Sequence, residues 1–314
     1  MGRPRPGDED AAAAGIAVVT HQHSAAAAHR GRLLLVLGIS VTIFFAEVVV
    51  GLLSNSLALL ADAGHVFADV VGTALALGAI QLASRPVTGK RTFGFYRFEI
   101  LAAVLNAVLL FAIAAYVLIE AWRRLGSAPE VAAGPMLAVA LAALVANLCA
   151  AMVLRSTQAQ SLNMRGVYLE VLNDAFGSAA VIVAGLVIMF TGFLQADAIA
   201  SALIGLLILP RTWGLLSEAI DVLLEATPRN VDMDQVREHI LEAPGVREVH
   251  DLHAWTITSG LNVVSAHVVI DQNASAPAIL DHLCTCLSSQ FDIEHSTFQL
   301  EAQDRQRLEE AAHP

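Results

Sequence analysis

Six long apolar stretches decide what this chain can fold into. They run roughly over Leu33–Leu53, Leu57–Ala83, Phe98–Leu125, Met136–Leu154, Gly166–Phe190 and Ala196–Leu224. A run of about 20 mostly apolar residues spans bilayer hydrocarbon as a helix. In that medium only helices and closed barrels satisfy all of their own backbone groups. The composition agrees: 56% of residues are hydrophobic and 15% charged, and the mean hydropathy is +0.63, beyond what a soluble domain carries. The connections are short. Ser54-Asn55-Ser56 can cap and turn, Gly126 to Pro135 forms another link, and Pro210 predicts a kink or a locally altered ladder in the sixth stretch.

Basic residues orient the spans. With the N-terminus inside, the inner segments hold Arg30, Arg32, Arg85, Lys90, Arg91, Arg97, Arg155 and Arg165, while the outer loops hold only Arg123 and Arg124. Six spans then return the chain to the cytoplasm, which predicts a multi-pass protein of the plasma membrane with both termini cytoplasmic. The first thirty residues are rich in Ala and His and read as a disordered tail. They show no apolar segment with a cleavage site, so the first span would itself direct insertion. A net charge of −11 gives no sign of nucleic-acid binding, and three cysteines cannot make a disulfide framework.

After Thr227-Pro228 the composition changes. An amphipathic helix is expected over Val231–Ala243, then two strands, Val246–Thr258 and Leu261–Ile270, joined through Ser259-Gly260 as a hairpin. A helix over Ala276–Ser289 and a strand over Ser296–Glu301 complete an α-β-β-α-β order. The segment 228–303 thus reads as a small α+β domain, after a membrane domain over 31–227 and before a short tail at 304–314. A domain of this size gains from dimerisation or bound metal. From Pro228 onward 14 acidic residues stand against 5 Arg, a balance that attracts cations but is also common in soluble domains.

Ionisable residues inside the apolar stretches carry the functional signal. A charge at the bilayer centre costs roughly 2.5–3.5 kcal/mol on insertion scales, so such groups are functional candidates. His65 and Asp69 lie four apart in the second stretch, and Glu170 and Asp174 four apart in the fifth. Each pair shares one helix face. Two such faces turned together offer one nitrogen and up to three carboxylates, a coordination shell suited to a divalent transition metal and to zinc in particular. The bland alternative is interhelical hydrogen bonding, which serves for Asn106, Asn147 and Thr42 but poorly for four matched ionisable groups. Asp62 can be a further ligand, an entrance group or a helix N-terminal Asp. Glu47 in the first stretch can handle protons or make a structural hydrogen bond.

Four runs then resemble the cation diffusion facilitator transporters, closest to the bacterial cobalt-zinc-cadmium resistance branch. They are Ser54-Asn-Ser-Leu-Ala-Leu-Leu-Ala-Asp62-Ala-Gly-His65, Arg91-Thr-Phe-Gly-Phe-Tyr-Arg97-Phe-Glu99-Ile-Leu-Ala102, Glu170-Val-Leu-Asn-Asp174-Ala-Phe-Gly-Ser178, and His250-Asp-Leu-His253-Ala-Trp255-Thr-Ile-Thr-Ser-Gly260. The likeness covers roughly residues 31–303. It implies an α-helical integral membrane protein with six transmembrane helices, followed by a cytosolic metallochaperone-like αββαβ domain, working as a homodimer that exchanges Zn²⁺ for protons. The transport site it implies falls on His65, Asp69, Glu170 and Asp174. Zinc-selective members commonly carry His where Glu170 stands. A third carboxylate makes the site harder and more negative, which admits Co²⁺ or Cd²⁺ beside Zn²⁺.

The same resemblance places regulatory metal ligands in the cytosolic domain at His250, His267 and Glu301, with His295 as a possible fourth. From the residues alone, a strand His is more often a hydrogen-bonded surface group. Trp255 reads as packing. Some members have a second site between helices two and three, but the loop from Pro86 to Phe95 has no ligand and two cations, so none is expected here. Cys284 and Cys286 fall two apart on a predicted helix and point apart. His21, His23 and His29 form a loose cluster in the tail.

Ligands must lose protons to bind metal, so metal and protons compete. The expectation is a secondary transporter that exports Zn²⁺ by alternating access in exchange for protons, with lipid, divalent cations and protons as its partners. Two other readings use the same intramembrane metal. A metalloenzyme would want a general base near an open coordination position, and no HExxH sequence is present. A metal sensor would change shape without flux.

Overall fold

The structure is a computed structural model that describes residues 35–155 and 162–302. The tails expected at 1–30 and 304–314, with His21, His23 and His29, lie outside the described residues. Six helices among the described residues are long and apolar enough to cross a membrane. They are α1 (Leu35–Ser54), α2 (Leu57–Ala83), α3 (Phe98–Gly126), α4 (Ala133–Arg155), α5 (Leu162–Thr191) and α6 (Gln195–Leu223). The C-terminal part follows as α7 (Met233–Leu241), β1 (Val246–Thr258), β2 (Leu261–Ile270), α8 (Ala276–Gln290) and β3 (His295–Glu301). Both the six spans and the α-β-β-α-β order match the sequence reading, with ends shifted by a few residues. α6 continues through Pro210 to Leu223, although the ring removes one rung of the ladder there.

The chain packs as two compact units. One comprises Met1–Val70 with Leu110–Leu209, the other Val71–Leu109 with Pro210–Pro314.

In the first unit α4 packs along α5. Val36 of α1, Ala150, Ala151 and Leu154 of α4 and Val171 of α5 form one buried cluster; Leu57, Ala121 and Ala198 form another, joining α2, α3 and α6. Small residues at these contacts let helix backbones approach closely. Large apolar side chains such as Phe176, Phe190 and Leu207 instead point outward, as helices surrounded by hydrocarbon require. Thr42 does not bridge helices as a glue residue would. Its hydroxyl donates to the Gly38 carbonyl in its own helix at 2.8 Å, the local bond open to a Thr within a helix.

The turn between α1 and α2 is built from the residues that favour it. Asn55 adopts φ +58°, a left-handed conformation Asn tolerates well. Ser56 caps α2, its hydroxyl accepting from the Leu59 N–H at 3.2 Å.

In the second unit the three strands form one sheet in the order β1-β2-β3, with β1 and β2 antiparallel and β2 and β3 parallel. Val249, Val264, Val268, Ile240, Leu283 and Leu287 meet in a single core between the sheet and the two helices. Gly260 closes the β1–β2 hairpin at φ +78°, where a side chain would strain the turn.

Candidate metal centres

Helix periodicity brings His65 and Asp69 to one face of α2, and α5 presents Asp174 to the same point. His65 Nε2 lies 3.5 Å from Asp69 Oδ2 and 3.7 Å from Asp174 Oδ1. One ligand atom from each of the three falls within 4.8 Å of the others. Donors about 2.0–2.1 Å from a tetrahedral ion lie about 3.4 Å apart, so these separations need little adjustment to hold a divalent metal. His65 and Asp174 are buried and Asp69 is half-buried, an environment where ligand charge is poorly screened by water.

The fourth expected member, Glu170, is not one of these three. Glu170 is half-buried one turn before Asp174 and lies outside the 4.8 Å group. A neighbour that the sequence reading passed over does reach it: Asn173 Nδ2 is 3.5 Å from His65 Nε2. That is the same nitrogen that faces Asp69 and Asp174, so Asn173 competes with a metal for it, whereas an outer partner would hold the ring through its other nitrogen. Asn173 precedes Asp174 directly, within the run from Glu170 to Ser178.

Asp62 and Glu47 are also buried, at 3% and 0% exposure, and neither belongs to the three-residue group. The Ser178 hydroxyl donates to Asp62 Oδ2 at 3.4 Å.

A second group forms on the sheet. His250 and His267 face each other across the β1–β2 ladder, their ring centroids 5.2 Å apart. Glu301 pairs with Val269 on the parallel side, two residues from His267 and therefore on the same face. Its two carboxylate oxygens go to different rings, with Oε1 3.2 Å from His267 Nδ1 and Oε2 3.6 Å from His250 Nε2. The Glu301 side chain is wholly buried. Two imidazoles and a buried carboxylate are a donor set that suits zinc. Next to His250 the register slips: Asp251, at φ +47°, and Leu252 together take the place of one residue of β2. This bulge returns His253 to the face His250 occupies, a re-aiming typical of bulges beside sites.

His295 opens β3 rather than preceding it. It sits at the far end of the strand from Glu301, its ring edge-on to Phe93 at 5.9 Å. The structure does not bring it to the other three. Cys286 Sγ lies 3.6 Å from His282 Nε2 and Cys284 Sγ 3.4 Å from Ser296, so the two thiols turn to different neighbours.

Two polar clusters with no assigned role also emerge. Glu99, in the first turn of α3, accepts from the hydroxyls of Thr258 and Ser259 at the hairpin tip, the latter at 2.9 Å. Nearby, Arg97 donates to Glu225 at 2.7 Å. These contacts give the run from Arg91 to Ala102 a structural meaning. In the other unit Asp197 is buried at the start of α2. Its carboxylate accepts from Ser56 Oγ at 2.6 Å, from the Leu57 N–H at 2.7 Å and from the Ala58 N–H at 3.2 Å. Arg124 stands 3.8 Å from Asp197, donates to Glu120 at 3.1 Å and to the Asn55 carbonyl at 2.8 Å. That network gives Arg124 a structural role.

Comparison with known proteins gives a consistent picture. The family described as cation efflux transmembrane domain matches residues 33–224, and that described as cation efflux protein, cytoplasmic domain, matches residues 228–303. The chain is 45% identical over 280 residues to a cation efflux system protein CzcD of Alcaligenes sp. (strain CT14), covering 89% of each chain. It is 41% identical over 227 residues to a cadmium, cobalt and zinc/H(+)-K(+) antiporter of Bacillus subtilis (strain 168), covering 72% of this chain and 73% of the relative. It is 38% identical over 274 residues to the zinc transporter ZitB of Escherichia coli (strain K12), covering 87% of each.

Proposed function

Because the chain belongs to the cation efflux family, and is thus a multi-pass membrane transporter of metal cations rather than an enzyme, we propose that it exports Zn²⁺ from the cytoplasm in exchange for protons. Co²⁺ and Cd²⁺ are alternative cargoes. The observation that carries this reading is the convergence of His65, Asp69 and Asp174 from two helices, at separations suited to a divalent ion. The relatives named above as zinc, cadmium and cobalt transporters support the choice of cargo.

Capture works by proton displacement. Metal binds His65, Asp69 and Asp174 in their deprotonated forms, and protons arriving from outside compete for the same atoms and release it. Glu170 completes the shell or carries a proton in another state of the cycle, since it sits on α5 one turn from Asp174. Alternating access moves this centre from an inward-open to an outward-open arrangement. The distribution of Lys and Arg supports an orientation with both ends of the six-span domain on the cytoplasmic side.

The domain at 228–303 is proposed as the cytosolic regulatory part of a homodimer, attached to a transport domain at 31–227. His250, His267 and Glu301 would hold a divalent ion there. When bound, that ion neutralises the buried carboxylate and ties three strands together. The donor geometry fits it.

The test is metal uptake into proteoliposomes under an imposed pH gradient, with Zn²⁺, Co²⁺, Cd²⁺ and Mn²⁺ offered separately. Proton-coupled Zn²⁺ flux that Asp174→Ala abolishes in a folded protein supports the reading. Robust flux in that variant overturns the site, and absence of flux for every metal overturns the transport cycle.

A further inference from the structure

The metal centre leaves two buried acids unused. Glu47 on α1 is completely buried, and among the described residues its carboxyl group meets no amide, hydroxyl or basic donor, its one side-chain partner being another acid, Asp62. The titratable groups that face it from neighbouring helices are Asp62 on α2 and Asp174 on α5, both acids. Among the described residues no Lys or Arg acts on Glu47 or Asp62. Carboxylates removed from water in this way need a positive partner, because apolar surroundings return almost none of the lost hydration.

The surroundings are shaped to Asp62. A methyl group on Gly177 of α5 would overlap Asp62 Oδ1, so only glycine lets the carboxylate sit there. The next residue, Ser178, turns its hydroxyl to the other oxygen at 3.4 Å. One stretch of α5 therefore serves two places: Asp174 meets His65, while Gly177 and Ser178 cradle Asp62. The donors around the second place are all oxygen, from two carboxylates and a hydroxyl. Without nitrogen or sulfur, such a set lacks the features that favour zinc and suits a hard cation.

We propose that Glu47, Asp62 and Ser178 form a second cation site that holds the monovalent counter-cation, a proton or an alkali ion, in the exchange cycle. It rests on the exchange reading of the preceding subsection and adds α1 to the transport machinery. The metal and this second cation then occupy different atoms, in addition to the protons that compete at the metal centre itself, and the two places are coupled because Asp174 faces both groups.

The experiment uses the full chain in proteoliposomes, comparing wild type with Glu47→Gln, Asp62→Asn and Gly177→Ala. Three quantities are read: Zn²⁺ affinity, exchange of radioactive zinc for unlabelled zinc, and uphill Zn²⁺ uptake driven by a pH gradient or, separately, by a K⁺ gradient. Zinc self-exchange needs no counter-cation, so it reports an intact metal centre. The expected result is retained affinity and self-exchange in the variants, with uphill uptake reduced about tenfold or more, the scale of losing an outer partner of a metal centre. The gradient that drives wild type identifies the ion. Uphill uptake at the wild-type level in all three variants overturns the proposal. So does loss of Zn²⁺ binding and self-exchange alongside it, which would make the pair part of the metal centre. Wild type that couples to neither gradient overturns the exchange reading itself, and needs no variant to be seen.

Discussion

Asp174 Oδ1 stands 3.7 Å from His65 Nε2 across two different helices. Asp174 is the residue by which α5 reaches the shared centre, and His65 is its one nitrogen donor beside Asp69 of α2. His65→Ala and Asp174→Ala should each lower Zn²⁺ affinity by about 100-fold or more, exceeding the 10–100-fold loss that follows removal of an outer partner. Asn173→Ala, which takes away a group 3.5 Å from His65 Nε2, the nitrogen that would ligate the metal, should leave the affinity close to that of wild type. Isothermal titration of the solubilised full chain with Zn²⁺ measures all three. Binding should weaken as pH falls, because the ligands must be deprotonated to hold metal. Equal losses at Asn173 and Asp174 would contradict the ligand assignment.

Glu170 offers a different prediction because it lies outside the three-residue group. Glu170→His should leave Zn²⁺ transport in place while raising the ratio of Zn²⁺ to Mn²⁺ flux by about tenfold, since imidazole favours zinc where a carboxylate accepts harder ions. Competitive flux with the two metals reads the ratio. An unchanged ratio would remove Glu170 from cargo selection.

Much of this arrangement was legible in the sequence for identifiable reasons. Hydrophobic length located all six spans, since nothing but a helix serves a chain of that kind in hydrocarbon. The four-residue spacing placed His65 beside Asp69, because helix geometry alone fixes that neighbour. Spacing could not decide whether Glu170 joins Asp174, because that depends on how α5 is rotated against α2. The pairing of His250 with His267 required the strand register, and the bulge at Asp251 depends on one left-handed residue that no pattern announces. Asp197 and Glu99 were invisible for a related reason. Their partners are backbone amides and hydroxyls far along the chain, and these carry no compositional signature.

On the sheet, Glu301 joins two histidines with separate oxygens. Glu301→Gln keeps the shape and removes the charge that a divalent ion would neutralise. The variant should bind one Zn²⁺ fewer per chain than wild type, as measured by metal analysis after gel filtration. It should also lose part of the thermal stabilisation given by Zn²⁺, which for one site at a hundredfold excess over Kd amounts to about 2.7 kcal/mol. His295→Ala, at the other end of β3 against Phe93, should leave the zinc count unchanged. A count that falls in His295→Ala as well would mean the group extends further than His250, His267 and Glu301.

Asp197 predicts a stability effect away from either metal group. Its carboxylate accepts from two backbone N–H groups at the start of α2 and from Ser56, so Asp197→Ala uncovers buried donors. Loss of a helix cap costs about 0.5–2 kcal/mol, and leaving buried donors unsatisfied costs about 1–3 kcal/mol. The two overlap, giving an expected loss of about 2–3 kcal/mol in thermal unfolding of the detergent-solubilised protein. Asp197→Asn, which keeps an acceptor, should lose less. Identical losses for Ala and Asn would point to the charge facing Arg124 instead of the cap.

Glu99 holds the tip of the β1–β2 hairpin through Thr258 and Ser259, and the same two strands carry His250 and His267 toward their other end. A charged acceptor shared by two hydroxyls is worth about 1.5–3 kcal/mol. Without it the tip should open locally before the rest of the sheet, as segments held by few contacts do. Hydrogen exchange of residues 257–262 in Glu99→Ala should therefore speed up by about tenfold to a hundredfold, while β3 and the helix α8 keep their protection. Glu99→Gln retains a carbonyl acceptor and should show an intermediate rate. Metal added to the wild type should slow exchange along β1 and β2, because the ion would cross-link the strands through His250 and His267; in Glu99→Ala that protection should stop short of the tip. Uniform protection out to Ser259 in the variant would show that the hairpin holds its own end and that Glu99 only rests upon it.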